Sequence, residues 1–187
     1  MWLLYLIVTT KQILRSSDKM LTEGQKNYLA KLPPERAEEI ITVNPYDHKT
    51  TEVAEEIISQ IIATLPEADT RFMGASALGI SGQNDVDIYI LCSPEMKDVY
   101  LSKLTSVFGE QVKNKWQWFK EGIEVSVYLS DPSDYKFQEQ LKIFEILKNT
   151  PEVLREYELL KQSVSRKTYK EYQIAKYEFY NKTLGLS

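Results

Sequence analysis

Apolar residues recur along this chain with two periods, and the alternation between them predicts its elements. Val53, Ile57, Ile58, Ile61, Ile62 and Leu65 come at steps of three and four, the spacing of a buried helix face, and Pro66 ends the run. Thr50 and Thr51 stand where a helix cap belongs, with Glu52 and Glu55 suited to the helix dipole. A short strand, Arg71 to Met73, then leads into a loop punctuated by Gly74, Gly79 and Gly82. Asp85 to Leu91 has period two: Val86, Ile88 and Ile90 share one face and Asp85 and Asp87 the other. Ser93 and Pro94 open a helix with Met96, Val99, Leu104, Val107 and Phe108 as its stripe and Gly109 at its end. Lys115 to Phe119 and Ile123 to Leu129 read as an antiparallel hairpin around Lys120-Glu121-Gly122.

After Asp131-Pro132 the pattern is helical throughout. Phe137, Leu141, Phe144 and Leu147 mark one helix; Leu154, Tyr157, Leu160 and Val164 a second, opened by Thr150 and Pro151. Tyr169 to Leu184 makes a third. This order predicts an α+β (mixed α/β) fold, a small mixed sheet with flanking helices and a C-terminal helical tail. The expected divisions are an N-terminal extension over 1–25, an α/β core over 26–132 and a helical subdomain over 133–187.

Composition narrows the class. With 187 residues, 43% of them hydrophobic and 27% charged, the chain has material for a real core. One cysteine allows no disulfide within the chain and suits a reducing compartment, read here as cytoplasmic; Cys92 is expected to be a small core residue. A net charge of −4 argues against a general grip on duplex nucleic acid. The charge is uneven, however. Residues 151–187 hold seven Lys and Arg against five Asp and Glu, leaving 16 against 22 for residues 1–150. Trp2 to Val8 is apolar but too short to span a bilayer, and it lacks the basic flank and cleavage pattern of a secretory signal. No membrane is implied. Residues 1–19 are read as an over-long start before Met20 or a short edge strand.

The chemistry concentrates in one segment. Asp85 and Asp87 lie two apart on a strand, so their carboxylates point the same way and repel unless a cation sits between them. A hard divalent ion such as Mg²⁺ suits two carboxylates, water and phosphate oxygen. Gly74 permits close backbone approach to an anion and Ser76 adds a hydroxyl. Together they are what phosphoryl or nucleotidyl transfer needs, although the loop is neither a P-loop nor a Rossmann turn. Ile123, Val125, Val127 and Leu129 face the core, which turns Glu124 to the side of the acidic pair, as a third ligand or as a proton acceptor. His48, the single histidine, reads as a surface loop residue, and Trp116 and Trp118 share one face, for packing against a helix or for stacking a base.

Gly74-Ala75-Ser76, a spacer and Asp85-Val86-Asp87-Ile88 resemble the signature of the nucleotidyltransferase (DNA polymerase β-like) superfamily. Within it the chain is similar to the GrpB family from about Val43 to Gly185. Asn44-Pro45-Tyr46-Asp47 resembles that family's opening segment, and Glu156 to Lys161 and Tyr172 to Lys176 its helical tail motifs. Ala75 replaces the usual Ser or Gly, and Gln83-Asn84 the common Lys-Pro. The resemblance implies Mg²⁺ held by Asp85, Asp87 and Glu124, the same three residues being catalytic, and nucleotide phosphates at Gly74 and Ser76. Lys161 and Lys176 would reach triphosphate, while Tyr157 and Tyr172 support the base. The implied activity is transfer of a nucleoside monophosphate from an NTP, ATP first among them, to an unidentified acceptor. The altered loop also suits a nucleotide-binding or interaction module that keeps the fold without catalysis.

Overall fold

The computed structural model describes residues 20–186, so the readings of Trp2–Val8 and of residues 1–19 lie outside it. In chain order the elements are α1 (Glu23–Ala30), α2 (Pro34–Ala37), α3 (Lys49–Thr64), β1 (Asp69–Met73), α4 (Gly74–Ala77) and β2 (Val86–Leu91). A 3-10 turn at Pro94–Met96 leads into α5 (Lys97–Phe108). Then follow β3 (Lys115–Lys120), β4 (Ile123–Ser130), α6 (Tyr135–Asn149), α7 (Pro151–Ser163) and α8 (Tyr169–Leu184). The described chain divides into two units, residues 43–158, and residues 20–42 with 159–186; α7 carries the chain from one to the other. No described helix is long and apolar enough to cross a membrane.

The unit of residues 43–158 is built on a four-stranded mixed sheet in the order β1-β2-β4-β3. β1 runs antiparallel to β2, β2 parallel to β4, and β4 antiparallel to β3. The period-two pattern decides which face forms the core. Val86, Ile88 and Ile90 pair with Val125, Val127 and Leu129, and this face packs on Val53, Ala54, Ile57, Ile61 and Leu65 of α3 and its end, and on Tyr100 and Leu104 of α5. Burying side chains of this size stabilises by roughly 1.5–3 kcal/mol each. Glu121 and Gly122, both at positive φ, form the two-residue turn that joins β3 to β4 with matched twist. Lys49–Glu121 and Lys120–Glu56 ion pairs tie this hairpin to α3.

Several local expectations need correction. α3 begins at Lys49: the Asp47 carboxylate accepts the Lys49 N–H, and the buried Thr50 hydroxyl donates to the Asp47 carbonyl. Thr50 and Thr51 are therefore first-turn residues, not caps. On α5 the buried positions are Tyr100 and Leu104, four apart, whereas Met96, Val99 and Val107 are exposed, as is Ile62 on α3. Trp116 and Trp118 serve packing. Trp116 is 1% exposed and donates its indole N–H to the Gly109 carbonyl, and Trp118 stacks on Phe108 at 5.2 Å. Cys92 is buried, which pushes its thiol pKa up, and His48 is exposed beside Glu52.

In the unit of residues 20–42 and 159–186, α1 and α8 each open with a capping box, Thr22 with Gln25 and Thr168 with Glu171. Asn181 of α8, 1% exposed, exchanges hydrogen bonds with the Gln25 side chain and donates to the Met20 carbonyl. The Tyr28 and Tyr169 hydroxyls meet at 3.0 Å, and the Arg36 guanidinium lies 4.0 Å over the Tyr169 ring.

Candidate active site

The site residues of the unit of residues 43–158 lie on the face of the sheet opposite the core that α3 and α5 cover. Because β2 and β4 are parallel and in register, Asp87 stands beside Ser126 and Tyr89 beside Tyr128. Asp85 and Glu124 each directly precede the first pair of that register, Val86 with Val125. β1 places Met73 opposite Asp87, so Gly74 begins next to that aspartate.

This junction sets the backbone chemistry. Gly74 has φ +91, a conformation that L side chains rarely adopt, and a Cβ added there would stand 3.5 Å from Asp87 Oδ2. The chain turns straight from β1 into the one-turn helix α4, so the stretch expected to be loop opens as helix. The Ser76 hydroxyl is buried and donates to the Asp85 carbonyl at 2.7 Å. It thereby fixes the backbone at the first aspartate.

The rest of the loop is pinned from two sides. Asn44 and Gly82 exchange backbone hydrogen bonds of 2.7 and 2.9 Å, and Asn84, at φ +55, donates its amide to the Pro45 carbonyl. Glu158 of α7 accepts from both the N–H and the hydroxyl of Ser81. Two of the segments that carry the family resemblance, at Asn44 and at Glu158, thus hold the loop that precedes the acidic pair.

Asp87 is the best-defined acid. Its Oδ1 accepts from the Tyr128 hydroxyl at 3.1 Å. Burial, followed by the Asp87 charge, pushes the Tyr128 pKa far above the ordinary phenol range, so this hydroxyl remains a donor. The Tyr128 ring stacks on Tyr89 at 4.7 Å, Tyr89 meets Phe137 of α6 at 5.5 Å, and Lys115 Nζ lies 5.1 Å over Tyr128. Glu124 lies on the expected face but accepts from Gln117 on β3. Among the described residues, no three His, Cys, Asp or Glu side chains group as a metal-holding set. The donor set whose chemistry fits a hard divalent cation is the pair Asp85 and Asp87, with Glu124 on the neighbouring strand.

The remaining expected residues lie on α7 and α8. Tyr157 is buried at the end of the unit of residues 43–158. In the other unit, Lys161 is buried with its Nζ 5.9 Å over the Tyr172 ring, and Lys176 Nζ lies 5.5 Å over the Tyr180 ring. Sequence reasoning passes over Tyr128, Gln117, Ser81 and Glu158. Tyr128 carries a usable signal, since it sits at an even position of the strand whose odd positions form the core. Glu158 falls within the tail segment that resembles the family, but its partner, 77 residues away, does not follow from the pattern.

The fold is of the α+β class, a four-stranded mixed sheet with flanking helices, and it sets an aspartate of β2 beside a glycine turn. The chain belongs to the GrpB family, whose model, described as GrpB protein, matches residues 40–185. Its fold is similar to that of the conserved protein GrpB from Enterococcus faecalis, with TM-score 0.53 and 15% identity over 78% of this chain and 99% of that one. Two structures of Cid1 are also similar, one described through its RNA terminal uridylyl transferase activity and one of the poly(U) polymerase with MgGTP bound. They have TM-scores of 0.40 and 0.38 and identities of 13% and 14%, over 64% of this chain and 44% and 45% of theirs. Likeness at that level bears on neither fold nor chemistry here. No curated protein matches the chain.

Proposed function

We propose that this protein is a Mg²⁺-dependent nucleotidyltransferase that moves a nucleoside monophosphate from an NTP, ATP foremost, to an acceptor hydroxyl. The observation that supports this most is the seat of Asp87, whose Oδ2 faces a glycine turn that no side chain can fill without strain. Asp85 and Asp87 would hold the cation, and the open turn at Gly74 would admit phosphate oxygens close to the backbone. When bound, the cation supplies charge neutralisation at the phosphates. The acceptor oxygen bonds to the α-phosphorus, the bond to pyrophosphate breaks, and Glu124 takes the hydroxyl proton. Gln117 donates to one Glu124 oxygen, Oε1, and orients the carboxylate for that step.

A second reading, a nucleotide-binding module without catalysis, draws support from two contacts of the same site. The Ser76 hydroxyl is committed to Asp85 and Glu124 to Gln117. Incubation with α-phosphate-labelled ATP and a panel of acceptor hydroxyls separates the two. The first reading expects label on an acceptor from wild type and none from Asp85→Asn. Nucleotide binding without any transfer of label supports the second.

A further inference from the structure

Resting on that reading, we propose that Tyr128 is a positioning residue that sets which oxygen of Asp87 is presented at the site. Asp87 has two chemically equivalent oxygens, and the fold makes them unequal. Oδ1 takes the Tyr128 hydroxyl at 3.1 Å, and Oδ2 is turned to the glycine turn, 3.5 Å from where a Gly74 Cβ would be. A carboxylate fixed by a hydrogen bond through one oxygen keeps its other oxygen in one direction, as outer-shell donors do for metal-binding side chains.

The donor is itself well held. Its ring lies 14° from parallel with Tyr89 at 4.7 Å, and Tyr89 is in turn backed by Phe137. Lys115 approaches the same ring from β3, and the buried Ser126 stands between Asp87 and Gln117 in register. Tyr128 pairs with Tyr89, two residues beyond Asp87 on the parallel strand, so its hydroxyl reaches back along β2 to the carboxylate. A phenylalanine would keep the stack and the burial and lose only the hydroxyl. That makes the role separable from packing.

The test is uptake of Mn²⁺ by the full chain, read as the loss of free-ion signal in electron paramagnetic resonance, for wild type, Tyr128→Phe and Asp87→Asn. Thermal unfolding of each variant is followed in parallel. The expected result is Mn²⁺ binding that Asp87→Asn removes and that Tyr128→Phe weakens about tenfold at an unchanged melting temperature. Should Tyr128→Phe melt early, uptake is read well below its melting temperature, where the folded variant must still bind about tenfold more weakly than wild type. Wild-type affinity in the folded variant overturns the positioning role and leaves the proposed function standing. Absence of Asp87-dependent Mn²⁺ uptake in wild type overturns the metal reading and this inference with it.

Discussion

Gly74 shows how much one position can be asked to do. Its φ of +91 closes the turn from β1 into α4, and the missing Cβ leaves the Asp87 carboxylate in ordinary contact distance. Gly74→Ala meets no hard clash at 3.5 Å, so its cost comes from the backbone. We expect it to lower unfolding free energy by about 1–2 kcal/mol, the penalty of a left-handed L residue, as read by urea denaturation. A loss below a few tenths of that figure would mean that the turn relaxes at no cost. Asp85, Asp87 and Gly74 are legible in the sequence because their spacing is local. Tyr128 and Gln117 are not, because a strand's pattern gives the face of a side chain and not its cross-strand partner. Ser76 is expected at a phosphate, and its hydroxyl donates to the Asp85 carbonyl.

Elements read clearly where one period runs without competition. β2 and β4, with strict alternation, and the hairpin turn at Glu121-Gly122 lie where expected. α5 lies where expected but with a different buried stripe, since Tyr100 fills the core beside Leu104 while the aliphatic Met96, Val99 and Val107 face water. α1 and α2 leave no mark in the pattern, because helices of eight and four residues offer too few turns for a periodic signal. α8 owes its start to a capping box, in which Glu171 accepts from the Thr168 N–H and hydroxyl, and these bonds hold its carboxyl below the usual range. A depressed folded-state pKa means stability present above the unfolded value and lost as pH falls through the folded one. Glu171→Gln should therefore unfold more easily than wild type at neutral pH, and the gap should close as pH drops below the carboxylate range. Thr168→Ala should cost about 1 kcal/mol at neutral pH in the same denaturation series.

At the scale of the molecule, charge separates the two units more sharply than the sequence halves suggest. Residues 43–158 carry eleven Lys and Arg against twenty Asp and Glu, and residues 20–42 with 159–186 carry nine against six. A unit with net charge −9 that also presents paired carboxylates should repel a triphosphate on its own. Under the proposed function, the cation is what reverses that repulsion at the acidic pair. Calorimetric titration of ATP and the other NTPs, with and without Mg²⁺, into wild type and Asp87→Asn tests this most directly. The account predicts nucleotide binding that requires both the metal and Asp87. Binding that survives removal of either one, or no binding at millimolar nucleotide, would contradict it.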